Sequence, residues 1–215
     1  MKKAVIFDMD GVISNTQKYH AKVEIKLLKH LGIHISKEEL QDKYAGVSDE
    51  EMFIKIFQKK RIQAADIPAL VLQKWKLLRE IANGKIEAIP HAILLINALK
   101  KNGYKLAVAS ASPHDFIIYV LKSLKVLKKF DAIVSSQEVK HGKPAPDIFL
   151  LAAKRLAVLP KDAIVIEDGR SGMIGAKRAY MKCIGLVSEI KSDYPATMLV
   201  TSLDQVHIED ISALK

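Results

Sequence analysis

The chain has 215 residues, 49% of them hydrophobic and 27% charged, and its 34 Lys and Arg outweigh 24 Asp and Glu to give a net charge of +10. That balance excludes a disordered or collagen-like polymer, and a lone cysteine, Cys183, excludes a disulfide framework or a cysteine-built metal cluster and suits a reducing compartment. No stretch approaches the roughly 20 apolar residues needed to cross a bilayer.

In chain order, Met1-Lys2-Lys3 runs straight into the apolar Ala4–Phe7, and Asp8 and Asp10 end that run too soon for a secretory leader. A cytoplasmic protein with no membrane partner is expected. Ala4–Phe7 reads as a buried strand. From Asn15 to Glu87 no strand is evident. Amphipathic patterns over Tyr19–Leu31, Lys37–Tyr44, Glu50–Lys60 and Ile67–Ala82 predict helices there instead. Further strands are expected at Leu106–Ala109, Ala132–Val134, Ala163–Ile166 and Cys183–Val187. Helices at His91–Lys101, His114–Leu124, Pro146–Leu156 and Ser171–Tyr180 separate them. The strand runs are continuous rather than alternating, as in parallel strands covered on both faces. The expectation is an α/β protein. Residues 1–14 and 88–215 form a doubly wound parallel sheet with helices, and residues 15–87 form a small α-helical cap inserted after the first strand. No long heptad pattern is present, so a monomer is expected.

The basic excess is dispersed. Lys122, Lys125, Lys128 and Lys129 recur at helical spacing and are expected to share one solvated face. Aromatics make up 6% of the chain, too few for a base-stacking platform, so a nucleic-acid partner is not expected. A basic surface also suits the steering of an anionic small molecule.

Ligands of open parallel sheets sit beyond the carboxyl ends of the strands. The first expected strand ends in Asp8, with Asp10 two residues on. The second ends in Ser110, Ala111 and Ser112, and the fourth in Glu167-Asp168-Gly169. Asp8 or Asp10 alone would serve as well in a helix cap or a turn, and the two serines as caps. Together they bring four acidic groups to one edge, where they repel unless a divalent cation joins them; an all-oxygen set points to Mg2+. Lys143 lies in Gly142-Lys143-Pro144-Ala145-Pro146, where two prolines stiffen the loop that carries it. By itself it reads first as a surface lysine.

Phe7-Asp8-Met9-Asp10-Gly11-Val12, Ala109-Ser110-Ala111-Ser112, Lys143-Pro144-Ala145-Pro146-Asp147 and Ile166-Glu167-Asp168-Gly169 resemble, in order and spacing, the four motifs of the haloacid dehalogenase-like superfamily. The helical insertion looks like the cap of its β-phosphoglucomutase-like branch. The resemblance implies that Asp8 is the nucleophile, forming an aspartyl phosphate, and that Asp10 is the general acid and base. It implies that Ser110, Ala111 and Lys143 bind the phosphoryl group. It also implies that Asp8, Asp10 (through its carbonyl), Glu167 and Asp168 hold or support Mg2+. The substrate partner would be a small phosphorylated metabolite.

The resemblance leaves a phosphatase and a sugar-phosphate mutase in contention. The presence of Asp10 argues against a dehalogenase. Thr16, His20, the Gly46-Val47-Ser48 segment and Ser112 match residues at the hinge, cap entrance and specificity loop of the mutases. Asp49 departs from them, standing where they carry an arginine that grips a second phosphate. Asn15 and His91 also depart, from the usual Asp and Gly. Lys43, Lys74 and Lys76 are candidates to replace the missing positive charge, or else are solvated cap surface. The expected function is a Mg2+-dependent phosphatase of sugar phosphates, with the mutase as alternative.

Overall fold

The computed structural model describes residues 4–44, 47–62 and 66–214. Its centre is one six-stranded parallel sheet in the order β3-β2-β1-β4-β5-β6, with β1 Ala4–Phe7, β2 Lys105–Ser110, β3 Ala132–Ser135, β4 Ala163–Glu167, β5 Lys182–Leu186 and β6 Met198–Val200. The strands are continuously apolar because each residue meets a packed layer on one side or the other. Val5, Phe7, Leu106, Val108, Ile164 and Ile166 enter one core, which is backed by α5 (Ala92–Lys101) and α6 (His114–Ser123). Their neighbours Ala4, Ile6, Ala107, Ala109, Ala163 and Val165 enter a second core. It is backed by α7 (Asp147–Arg155) and α8 (Arg170–Arg178). This period of two across a doubly covered sheet is the expected α/β architecture.

Between β1 and α5 the described chain is helical: α1 Gln17–His30, α2 Lys37–Tyr44, α3 Asp49–Lys60 and α4 Ile67–Ala82. These helices pack on one another, and the apolar residues they bury, among them Val23, Leu28, Phe53 and Leu78, are continuous with the first core. Trp75 of α4 meets Phe116 of α6 with ring centroids 5.0 Å apart. The two connections to the sheet run side by side: Asn15 N donates to the Glu87 carbonyl and Ile89 N to the Ile13 carbonyl, each at 2.9 Å.

Two points differ from expectation. β6 and a last helix, α9 (Ile208–Ala213), were not expected; β6 has only three residues, two of them half-buried, so it carries no distinctive pattern. The four lysines do not share a helical face. Helix α6 stops at Ser123, Lys125 turns into the left-handed region at φ +59°, and Lys128 and Lys129 lie in a 3-10 turn. Among the described residues, no helix is long and apolar enough to cross a membrane.

Candidate active site

The chain leaves β1 at the centre of the sheet, builds β2 and β3 on one side, then crosses over to start β4 on the other. A crevice at such a reversal opens at the carboxyl ends of β1, β2 and β4. Phe7 lies in register with Val108 and Ile166, so Asp8 and Glu167 emerge next to each other. Asp8 N donates to the Ile166 carbonyl at 2.9 Å, which fixes its backbone.

Lys143 reaches between these two carboxylates. Its Nζ donates to Asp8 Oδ1 and, at 2.8 Å, to Glu167 Oε2, while lying 5.2 Å from the Phe149 ring centroid. Only 2% of the residue is exposed. Burial alone would lower its pKa, but the charges of Asp8 and Glu167 outweigh this and raise it, so Lys143 is held as an ammonium. Glu167 Oε1 also accepts from Gly169 N at 3.1 Å. The first turn of α8 presses against it so closely that a Cβ on Gly172 would stand 2.1 Å from its carboxyl carbon.

Asp168 faces the crevice from the end of β4. Gln17 Nε2 bridges it to the first motif, donating to Asp168 Oδ2 at 2.7 Å and to the Asp10 carbonyl at 3.0 Å. Gly11 makes the approach possible. Its φ is +97°, and a Cβ there would lie 2.0 Å from Asp168 Oδ2. Asp8, Glu167 and Asp168 each offer an oxygen, all within 4.8 Å of one another. Burial, and then the Glu167 charge, push the carboxyls of Asp8 and Asp168 well above the usual range. Crowded oxygens, no cysteine or histidine among them and one lysine against three carboxylates make a donor set that suits a hard divalent cation.

Asp10 has a different environment. Its carboxylate turns away from that cluster and accepts from Thr16 Oγ1, from Ser112 Oγ at 2.7 Å and from Ser110 Oγ at 3.2 Å. His20 Nε2 is 3.3 Å from Oδ1, an ion-pair distance without hydrogen-bond alignment. Burial alone would raise this carboxyl, but the His20 charge and the hydroxyl donors hold it well below the ordinary range.

The structure thus gathers Asp8, Asp10, Ala111, Ser112 and Asp168 on the floor of one cleft, and His20, Val47 and Lys74 on its cap side. Other expected residues fall elsewhere. Ser110 and Thr16 are wholly buried, and their hydroxyls donate to Asp10. Ser48 caps α3, its Oγ accepting from Glu51 N at 3.4 Å. Lys76 is exposed and Lys43 pairs with Glu39 at 3.0 Å; neither lines the cleft, so neither replaces a phosphate clamp. Gly46 lies outside the described residues. Lys74 does face the cleft, but its Nζ is bound to Asp49 Oδ1 and, at 2.6 Å, to Glu24 Oε1. The sequence reading missed Gln17 and Glu24. Glu24 follows His20 by one helical turn and so shares its face, a signal that was available; nothing local marks Gln17.

A family model described as haloacid dehalogenase-like hydrolase matches residues 5–186. The chain is 28% identical to the phosphorylated carbohydrates phosphatase of Thermotoga maritima, over 97% of this chain and 96% of that protein. It is 32% identical to the fructose-1-phosphate phosphatase YqaB of Escherichia coli, over 84% of this chain and 94% of that protein. Another relative, 30% identical over 97% of this chain, is much longer, and the chain spans 20% of it. The crystal structure of β-phosphoglucomutase from Clostridium difficile superposes with a TM-score of 0.87 at 29% identity, covering 99% of this chain and 96% of that one.

Proposed function

The chain belongs to the haloacid dehalogenase-like hydrolase family, and on that premise we propose that it is a Mg2+-dependent phosphatase acting in the cytoplasm on small phosphorylated metabolites, with sugar phosphates as the substrate class. The observation that carries this reading is the placement of Asp8. It stands at a strand end, is paired with a buried lysine and shares a cleft with Asp168 and a second carboxylate caged by hydroxyls.

Asp8 is the nucleophile. A carboxylate oxygen attacks phosphorus while the bond from phosphorus to the ester oxygen breaks, leaving an acyl phosphate on Asp8. The departing oxygen takes a proton from Asp10, and Asp10 then takes one from the water that attacks the acyl phosphate and releases inorganic phosphate. Ser110, Ser112 and Thr16 hold Asp10 in place for both steps. A phosphate dianion arriving beside Asp10 raises its proton affinity, which loads the acid for the first step. Lys143 balances the charge of Asp8 and of the incoming phosphoryl oxygens, with Glu167 fixing the ammonium. Asp8, the Asp10 carbonyl and Asp168 would hold Mg2+, which would supply Lewis-acid stabilisation of the phosphoryl charge. Residues 15–87 act as the cap, hinged at Asn15–Thr16 and Lys85–Ile89. They exclude water during the first step.

Exchange of Asp8 for asparagine tests the assignment. Asp8→Asn keeps the circular dichroism of the parent chain and lowers phosphate release by a factor on the order of 10⁴ or more. Release at the parent rate would sink the nucleophile. The mutase reading is favoured by the contacts of Thr16 and His20 with Asp10 and by the likeness to β-phosphoglucomutase. Supplying β-glucose 1-phosphate with a trace of the bisphosphate, and measuring both free phosphate and 6-phosphate product, separates the two. Rapid isomerisation with little release would favour the mutase.

A further inference from the structure

The cap side of the cleft carries a charge pattern that bears on substrate choice. Lys74 is 1% exposed, and its ammonium lies between Glu24 of α1 and Asp49 of α3, both of which line the cleft. Its own burial is outweighed by the charges of Asp49 and then Glu24, which raise its pKa, so the trio is one cation between two anions. Lys74 is the only Lys or Arg side chain lining the cleft among the described residues, and the one histidine there, His20, is turned to Asp10. Lys43 and Lys76 point elsewhere.

An ammonium has three donors, and a carboxylate has about four acceptor sites. Lys74 spends two donors, on Glu24 Oε1 and Asp49 Oδ1. Along this wall of the cleft the charged groups run carboxylate, ammonium, carboxylate in a row, two acceptors flanking a donor. Vicinal hydroxyls match that row, each donating to a carboxylate oxygen or accepting from the ammonium. A phosphate has no proton to donate, and at this wall it would meet two carboxylates of its own sign.

We propose that Glu24, Lys74 and Asp49 form a specificity subsite that holds neutral hydroxyls of a sugar or polyol monophosphate and rejects a second phosphate at the far end of the substrate. The proposal rests on the phosphatase reading and deepens it: the bound molecule carries one phosphate, at Asp8. Asp49 is then a specificity residue, and Lys74 is the positioning residue that holds both carboxylates at the wall.

Calorimetric titration of the Asp8→Asn protein with Mg2+ tests the proposal by binding alone. Fructose 1-phosphate and fructose 1,6-bisphosphate are the probes. The monophosphate should bind tighter by about tenfold or more. Adding Asp49→Asn or Glu24→Gln, each of which leaves Lys74 one carboxylate partner, should shrink that ratio by roughly threefold or more. Thermal melting verifies that each variant folds, and the comparison on the Asp8→Asn background stands without them. Equal or tighter binding of the bisphosphate, a ratio unmoved in the folded variants, or no binding of either sugar overturns the subsite. Failure of the phosphatase reading looks different. The parent chain with Mg2+ would then release nothing from p-nitrophenyl phosphate, whatever the binding ratio.

Discussion

The sheet edge and the cap each bury one lysine between two carboxylates. Lys143 lies between Asp8 and Glu167, and Lys74 between Asp49 and Glu24. The local charge arithmetic is the same, yet the surroundings give the two clamps different work. Lys143 touches the nucleophile, and a third carboxylate, Asp168, stands beside it, so the core cluster keeps an excess of negative charge that a cation completes. His20, Glu24 and Asp49 also bring ligand atoms within 4.8 Å of one another, but there Lys74 already supplies the cation. A buried ion pair is therefore not informative by itself; what else faces the same space decides whether it is chemistry or scaffolding.

Replacing each lysine by methionine separates the two roles. Lys143→Met should lower kcat by about 10²–10³-fold, the usual loss when one preorganised donor to a developing charge is removed. Its loss of folding stability should be partly recovered by millimolar Mg2+, because a cation binds the native carboxylates and not the unfolded chain. Lys74→Met should destabilise by about 3–5 kcal/mol in chemical denaturation, the cost of stranding buried charge, and Mg2+ should raise its stability only as much as it raises the parent's, because both keep the Asp8–Asp168 site. Equal rescue of both variants would erase the distinction drawn above.

The same contrast explains what could be read in advance. The strands of the core were visible because double coverage makes them continuously apolar, and the acidic residues were visible because they follow those runs directly. Lys143 was singled out by the prolines around it. In the cap, helical periodicity locates an apolar face but does not say which polar residue on a helix turns inward. Lys74 and Lys76 were offered together. Two residues at 100° per residue are about 200° apart around a helix, so only one of them can face the cleft. Asp49 was noticed as a departure from a motif, while the partner that neutralises it, 25 residues along the chain, had no local signal. β6 and Gln17 stayed hidden for a similar reason: a three-residue strand and a hydrogen bond from a side-chain amide to Asp168 are set by tertiary contacts alone.

Two glycines sharpen the comparison at smaller energy. Gly11 and Gly32 both have positive φ, +97° and +73°, but a Cβ on Gly11 would strike Asp168 and Gln17 whereas one on Gly32 meets nothing within 4 Å. Gly32 ends α1, where Ile33 N reaches back to the Leu28 carbonyl at 2.9 Å. Gly32→Ala should therefore show backbone strain only, about 1–2 kcal/mol, and leave Mg2+ binding untouched. Gly11→Ala should cost about 2–3 kcal/mol and also weaken Mg2+ binding measured by calorimetry, because Asp168 must move. If the two variants bound Mg2+ alike, Asp168 would not be a ligand.

The smallest effect comes from a carboxylate outside the cleft. Asp131, just before β3, accepts from Leu106 N at 2.8 Å and from Lys100 Nζ at 2.6 and 2.7 Å. Burial alone would raise its pKa, but the Lys100 and Leu106 donors hold it below the ordinary carboxylate value. A lowered folded-state pKa means that the unfolded chain binds the proton more readily. Its contribution is therefore present above the unfolded value of about 3.9 and is lost as pH falls through the folded one. Its side chain is 40% exposed, so solvent screening keeps the effect under about 1 kcal/mol. Urea midpoints taken from pH 7 downward should show Asp131→Asn slightly less stable than the parent at neutrality, with the two curves converging in acid, where the parent's carboxyl is protonated too. A gap that stayed constant with pH would mean that the Asn side chain disturbs the strand end sterically and that the charge of Asp131 does not matter there.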